Sequence, residues 1–213
     1  MPTTLLENSE RIIEGRSLLV SERPIDFDKF LELSSDANDI ELVNGVIVEK
    51  MAAQYPHERR FIWLASILNM FVQTRGLGTV LGSRSAVEIN QFGGRLPDLV
   101  FVRHDRQNII QDNAIHGAPD LVIEIISSND RLGDMVALET DYRSIGVAEI
   151  VFINPHKKQW TVLRKLDEDY AVETLATGEY VSGVVPGFHM PVEWLLNDEL
   201  PNEMDVLNGL LAS

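Results

Sequence analysis

The sequence predicts an α+β fold: a mixed β-sheet core flanked by helices, followed by a C-terminal β-meander. Strand-like apolar runs alternate with two long helical patterns through the middle of the chain, and the last third contains successive strand-like runs separated by polar turns. With 213 residues, 45% of them hydrophobic, the chain is long enough for one sizeable core. We therefore expect an N-terminal arm over residues 1–25, one domain over 26–200 and a C-terminal helix over 201–213.

Composition excludes several classes of site. The chain has no cysteine, so a disulfide framework, a thiolate metal site and a cysteine nucleophile are all excluded. The formal net charge of −15 argues against a sequence-independent grip on nucleic acid phosphates. No run approaches the ~18 consecutive apolar residues of a membrane helix, and no phosphate-cradling glycine loop or G-x-S-x-G elbow occurs. We expect a cytoplasmic protein with no membrane partner.

The first elements are a short helix and a hairpin. Residues 1–25 show no sustained period, which is typical of a loosely docked arm, and Asp26 then caps a helix over DFDKFLELS. Two β-rich runs follow around Asn44-Gly45, the strongest short-range signal for a two-residue hairpin turn. Glu41 lies in the first arm of this hairpin, where it is either an exposed acid or a functional one.

A long helix is predicted from Pro56 to about Arg75. Pro56 suits the first turn, and the helix has an apolar stripe of Phe61, Leu64, Ile67, Leu68 and Phe71. His57 lies in the first turn and is either a surface or capping histidine or a residue that faces a site. Trp63 is predicted to lie in the core or an interface.

The next run, residues 78–90 (GTVLGSRSAVEIN), is predicted to be one strand that turns at Gly93-Gly94. Glu88 on this strand is either exposed or a secondary metal ligand. Residues 104–118 form a polar connection. His104 and His116 in this connection lack metal-ligand spacing, so we interpret them as loop residues.

Two strands at the centre, Pro97–Arg103 and Pro119–Ile126, carry the chemistry. Each opens with a Pro-Asp pair, and Glu124 lies in the middle of the second apolar run. A buried carboxylate costs several kcal/mol unless it is paired, hydrogen-bonded or bound to a metal. We predict that the strands lie side by side so that Asp98 and Glu124 share a cation. Carboxylate ligands suit Mg²⁺ or Mn²⁺.

The remaining elements are a helix over about Arg131–Ser144, a buried strand VAEIVFINP and the meander, which a shorter strand around Tyr180–Val184 is expected to complete. Trp160 and Tyr170 are predicted at a sheet edge or dimer surface. We therefore expect that the chain can form a homodimer through this surface.

Five segments in this order resemble the Uma2 family, a domain of unknown function within the PD-(D/E)xK nuclease superfamily. The segments cover roughly residues 39–155 and read IELVNGVIVEKMA, PHERRFIWLASIL, LPDLVFV, APDLVIEIISSND and YRSIGVAEIVFINP. The resemblance implies a restriction-endonuclease-like core and a Mg²⁺- or Mn²⁺-dependent endonuclease acting on DNA. It further implies that Asp98, Glu124 and the Ile125 carbonyl bind the ion, with Glu41 near it and His57 binding water or phosphate.

One departure from the family pattern concerns a lysine. The superfamily's lysine would fall at Ile126, and the alternative Uma2 position is Leu138, so both sites are apolar. Three hypotheses therefore stay open: a metal-dependent phosphodiesterase, a catalytically weakened nuclease fold that binds nucleic acid or a protein partner, and a structural domain whose acids are satisfied internally. Lys50, Arg84 and Arg59 are the candidate replacement cations.

Overall fold

The computed structural model describes residues 8–13, 16–21, 23–34, 40–49, 54–82, 84–111, 114–128 and 132–212, with side chains described from residue 23 onward. The helices are α1 (Phe27–Ser34), α2 (Tyr55–Arg75), α3 (Leu132–Ser144), α4 (Glu193–Leu196) and α5 (Glu203–Ala212), with a 3-10 helix at His104–Ile109. The strands are β1 (Asn8–Ile13), β2 (Arg16–Ser21), β3 (Ile40–Val43), β4 (Val46–Glu49), β5 (Gly78–Gly82), β6 (Ala86–Asn90), β7 (Gly93–Arg95), β8 (Leu99–Arg103), β9 (Ile110–Gln111), β10 (Ala114–Ile115), β11 (Leu121–Ile125), β12 (Glu149–Asn154), β13 (Gln159–Leu166), β14 (Asp169–Leu175), β15 (Glu179–Val181) and β16 (His189–Pro191).

Most of the described strands belong to two mixed sheets. One has the order β14-β13-β12-β11-β8-β5, in which β11 and β12 run parallel. The other has the order β1-β2-β4-β3-β7-β6-β10-β9, in which β6 and β10 run parallel. Helix α3 is the crossover between the parallel strands β11 and β12, as a parallel pair requires. The predicted α+β class, with a mixed-sheet core flanked by helices, is confirmed.

The two central strands pair as predicted. β8 and β11 run antiparallel, with Leu121 opposite Phe101 and Ile123 opposite Leu99. Every residue of β11 is buried, so this strand has an apolar layer on both faces. One face packs against α2 and the other lies in the cluster that contains Tyr142 of α3. The site residues on these strands therefore lie in the middle of the sheet.

Helix α2 has the predicted bounds and buries the predicted stripe. It has Pro56 in its first turn and ends at Gly76, which adopts the left-handed conformation with φ 64°. Trp63 is 2% exposed and belongs to the core, as predicted. Helix α5 packs on α2 and confirms a helix in the predicted C-terminal segment. Across the described ranges, no helix is both long and apolar enough to span a membrane.

The N-terminal elements include two predictions that are confirmed. Asp26 accepts a hydrogen bond from the Lys29 N–H at 2.9 Å and so caps α1. Asn44 and Gly45 have φ of 51° and 76°, the left-handed pair that a tight hairpin between β3 and β4 requires. Within the segment predicted as an arm, β1 and β2 form a hairpin whose second strand pairs with β4. The domain boundaries themselves stay predictions.

The prediction of one strand over residues 78–90 is wrong. β5 pairs with β8 in the six-stranded sheet, whereas β6 pairs with β7 in the eight-stranded sheet. The chain changes sheets between them, where the Ser85 N–H donates to the Gly82 carbonyl at 3.1 Å. Apolar alternation continues on both sides of this turn, so the sequence pattern contains no signal for the change of sheet.

The predicted meander is confirmed for β12, β13 and β14, which pair antiparallel in order. The expected strand around Tyr180–Val184 does not extend it, because β15 pairs with β16 in a separate sheet. The buried Glu149 carboxylate explains this position. It accepts hydrogen bonds from the Tyr180 and Ser182 hydroxyls and the Gly183 N–H, so the segment folds back over the sheet.

The prediction that Trp160 lies at an edge or dimer surface is wrong. Trp160 is 1% exposed, and its ring centroid lies 5.2 Å from that of Tyr180, which covers it. Tyr170 is half-buried, and its hydroxyl donates to the Val147 carbonyl at 2.7 Å. A homodimer stays a prediction.

Candidate active site

Asp98 and Glu124 lie side by side on the two central strands. The ladder pairs Ile123 with Leu99, so one further step places Glu124 opposite Asp98. The Ile125 N–H donates to Asp98 Oδ2 at 2.7 Å, and the Asp98 N–H donates to Glu124 Oε2 at 3.4 Å. Both acids are buried, at 6% and 5% exposure. Two carboxylates are therefore held by backbone groups at one end of the paired strands β8 and β11.

His57, in the first turn of α2, extends this group. Its Nε2 atom lies 3.1 Å from Asp98 Oδ2, and its Nδ1 atom lies 3.5 Å from Glu58 Oε1. Burial by itself lowers the pKa of His57, but the hydrogen bond and charge of Asp98, together with Glu58, outweigh burial and raise the pKa above its ordinary value. Of the two interpretations of His57, the structure favours the one that faces the site.

Glu41 is held by a cation that the sequence analysis did not single out. Its carboxylate accepts hydrogen bonds from Arg95 Nη1 at 3.0 Å and from the Leu96 N–H at 3.3 Å. Arg95 also binds Asp141 of α3, with Nε at 2.7 Å and Nη2 at 2.6 Å from Oδ2. Burial lowers the pKa of Arg95, but the charges of Glu41 and Asp141 raise it above the ordinary value. The Glu41 carboxylate therefore forms a buried ion pair with Arg95 and contacts the backbone at Leu96, two residues before Asp98.

Tyr142 binds Glu124 from the opposite side. Its hydroxyl donates to Glu124 Oε1 at 2.5 Å, and its side chain is fully buried. Burial raises the pKa of Tyr142 well above its ordinary value, and the charges of Glu124 and Glu41 raise it further. The hydroxyl therefore stays protonated and acts as a donor. Helix α3 is thus attached to the site at two adjacent residues, because Asp141 binds Arg95 and Tyr142 binds Glu124.

Comparisons with known proteins bear on the family and the fold of the chain. A family model described as "Uma2: Putative restriction endonuclease" matches residues 27–193. The chain belongs to the Uma2 family. The crystal structure of a putative nuclease belonging to DUF820 from Anabaena variabilis has a TM-score of 0.68 at 20% identity, covering 81% of this chain and 98% of that one. This likeness confirms the restriction-endonuclease-like fold. No curated protein matches the chain.

The apolar residues at the family's lysine positions are packed in this Uma2 chain. Ile126 is buried, and Leu138 packs against the same apolar cluster. Of the predicted replacements, Lys50 lies outside the described residues, Arg84 is exposed, and Arg59 donates to the Asp198 carbonyl at 3.1 Å. Arg95, which was not among these candidates, binds the Glu41 carboxylate, with its Nη1 atom 3.0 Å from Oε2.

Arg95 could not be singled out from the sequence, because no periodic pattern relates its position to Glu41 or Asp141. The one signal was local, since it stands three residues before Asp98 on a glycine-rich strand. Tyr142 and Asp141 lay on a predicted helix, and no periodic pattern indicated that Tyr142 would bind Glu124 or that Asp141 would bind Arg95. The bonds of Arg95 to Glu41 and Asp141, and of Tyr142 to Glu124, each join residues that are not neighbours in the chain.

Other sequence candidates lie away from the two acids. Glu88 pairs with His116 at 2.7 Å, and His104 begins the exposed 3-10 helix. Asp120, from the second Pro-Asp pair, lies at the opposite end of β11 from Glu124 and binds Arg106 at 2.8 Å. Only the first Pro-Asp pair therefore contributes to the candidate site.

The donor set fits a hard divalent cation. Among the described side chains, no three histidine, aspartate or glutamate residues are placed to hold one ion together. Asp98 and Glu124 supply carboxylate oxygens, and the backbone of Ile125 lies beside Asp98. Mg²⁺ is commonly held by one or two carboxylates, with waters and substrate phosphates as the other ligands. These residues match that pattern, and their role as ligands stays a prediction.

We expect Tyr142→Phe to lower the free energy of unfolding by about 1.5–3 kcal/mol, the usual worth of a hydrogen bond to a charged group. The matched control is Tyr170→Phe, which removes a hydroxyl bonded to a neutral carbonyl and should cost about 0.5–1.5 kcal/mol. Urea unfolding of both variants measures the difference. A cost for Tyr142→Phe no larger than for Tyr170→Phe would show that the Glu124 contact contributes nothing special.

Proposed function

We propose that this Uma2 protein is a Mg²⁺- or Mn²⁺-dependent phosphodiesterase that cleaves DNA. One observation carries the proposal. The buried Asp98 and Glu124 carboxylates lie together at one end of two paired strands, and each accepts a hydrogen bond from a backbone N–H group. Two adjacent buried carboxylates repel each other. A divalent cation bound by both would offset this repulsion.

In this proposal Asp98, Glu124 and the Ile125 carbonyl hold the ion. Such a cation supplies positive charge to the scissile phosphate and acidifies the water that attacks phosphorus. Tyr142 fixes the direction of the Glu124 carboxylate through its hydroxyl, and the Ile125 N–H does the same for Asp98. These contacts leave little rotational freedom to either ligand, which is what a preorganised site requires.

Glu41 and His57 have supporting roles in the proposal. Glu41 binds Arg95, which links the hairpin, the turn before Asp98 and α3, so it maintains the shape of the site. The His57 Nε2 atom contacts Asp98 Oδ2, the same oxygen that accepts a hydrogen bond from the Ile125 N–H. In this position its imidazole binds a water molecule or the approaching phosphate.

A second candidate function is a catalytically weakened nuclease fold that binds nucleic acid or a protein partner. The observation that favours it concerns the residues at the positions where a positive group is expected near the acids. Ile126 and Leu138 provide no cation, and the charge of Arg95 is offset by two carboxylates. An arginine that is paired with two carboxylates gives less stabilisation to the charge that develops on phosphate.

Incubation of the purified chain with supercoiled plasmid and with a labelled oligonucleotide tests the proposal. We expect strand cleavage with Mg²⁺ or Mn²⁺ and none with EDTA. Saturable binding of Mn²⁺ without cleavage would favour the second candidate function. Cleavage that persists in EDTA would contradict both.

A further inference from the structure

A groove of about 590 Å³ runs along the first turns of α2, beside the candidate active site. Its walls include Tyr55, Glu58, Arg59 and Trp63 from α2 and the segment around Asn202. Trp63 Nε1 donates to the Pro201 carbonyl at 2.8 Å, which fixes the second wall against the helix. The groove volume is within the range of small-molecule binding sites.

The groove and the acids are connected by direct contacts. Glu58 lines the groove, and its carboxylate lies 3.5 Å from His57 Nδ1. The other ring nitrogen of His57 lies 3.1 Å from Asp98. A polymer whose phosphate is bound at Asp98 therefore has the groove within reach of its neighbouring unit.

The groove exposes apolar and aromatic surface. Tyr55 is 77% exposed and Ile62 is 59% exposed, on the same side of α2. An aromatic face beside a nuclease-like site is suited to stacking, since every nucleobase has a π face of its own. The exposed ring of Tyr55 and the exposed side chain of Ile62 provide such a surface.

Charge argues that stacking must supply much of the affinity for DNA. The groove has one arginine and two glutamates, Glu58 and Glu203, and the whole chain has a net charge of −15. Arg59 is bonded to the Asp198 carbonyl, and the site's Arg95 is bonded to two carboxylates. Phosphate contacts, which dominate binding to duplex DNA, are therefore weak in this region.

We propose that the groove binds an unpaired nucleobase next to the scissile phosphate, stacked on Tyr55, so that the substrate is single-stranded DNA. In a duplex the ring faces are already stacked on neighbouring base pairs, and an unpaired strand leaves them open. The Glu58 and Glu203 carboxylates accept hydrogen bonds and so favour bases with amino groups over phosphate in the groove. This inference rests on the proposed function, because it assumes that DNA is bound at Asp98.

Binding of a fluorescein-labelled single strand of mixed sequence, compared with the same strand annealed to its complement, tests the inference. Measured by anisotropy on the full chain with Ca²⁺, a hard divalent cation that carboxylates also bind, the single strand should bind more tightly than the duplex. Tyr55→Ala should weaken single-strand binding about tenfold or more, as expected for the loss of one base stack. Tyr55→Phe keeps the ring and should bind like the parent.

The matched control is Met70→Ala, an exposed apolar residue on α2 that does not line the groove, and it should leave binding unchanged. Equal binding by the parent and Tyr55→Ala, or a preference for the duplex, would overturn the inference even if metal-dependent cleavage is observed. Loss of single-strand binding in Tyr55→Ala supports it even if no cleavage is seen with Mg²⁺ or Mn²⁺, in which case the proposed function fails alone.

Discussion

Glu124→Gln is expected to abolish metal-dependent DNA cleavage while leaving the metal-free melting temperature unchanged or raised. Glutamine keeps the shape of the side chain and an oxygen that accepts the Tyr142 hydroxyl, but it removes one of two adjacent buried charges. Cleavage should fall by at least about 10²-fold, the scale seen when a charge-stabilising group is removed from an active site. Thermal unfolding in EDTA and plasmid cleavage in Mn²⁺ measure the two effects.

The control for this variant is Glu88→Gln, an acid on β6 that pairs with His116 outside the group around Asp98. It should leave cleavage at the parent level. If Glu124 were only a structural acid, its replacement would instead resemble the breaking of a buried ion pair and lower the free energy of unfolding by about 3–5 kcal/mol. A loss of that size, with cleavage retained, would contradict the proposed role.

Arg95→Met should be the most destabilising single substitution around the site. The change leaves the Glu41 carboxylate, whose side chain is 11% exposed, without its cation, and it detaches Asp141 of α3. Removal of one partner from a buried pair costs about 3–5 kcal/mol. Chemical denaturation of the purified variant measures this loss.

Arg143→Met is the matched control, because Arg143 also bridges two carboxylates but is 34% exposed. Exposed pairs contribute about 0–1 kcal/mol, so its cost should be small. The double variant Arg95→Met, Glu41→Gln should recover part of the loss, since it removes the buried negative charge together with its arginine. Equal costs for Arg95→Met and Arg143→Met would show that the Arg95 pair does not organise the site.

The parts of the fold that local patterns determine were predictable from the sequence. The asparagine-glycine turn, the Asp26 cap and the stripe of α2 depend on neighbouring residues, and each was confirmed. The pairing of β8 with β11 was predictable because each strand is short, apolar and opened by a Pro-Asp pair. Asp98 and Glu124 followed from the cost of burying an acid on such a strand.

The rest depends on contacts between residues distant in the chain. Arg95 meets Glu41 across 54 positions and Asp141 across 46, and no periodic pattern relates such positions. Trp160 was expected at an edge or dimer surface because its strand continues the sheet beyond the core, but Tyr180, from a later segment, covers its ring. Such partners become visible only when the packing is known.

Equilibrium binding of Mn²⁺, followed by electron paramagnetic resonance of the free ion, tests the central claim that Asp98 and Glu124 form a cation site. The account predicts saturable binding to the parent chain at millimolar Mn²⁺ or below. Asp98→Asn and Glu124→Gln should each abolish it, while Glu88→Gln binds as the parent does. Absence of saturable binding to the parent, or binding that survives both substitutions, would contradict the account.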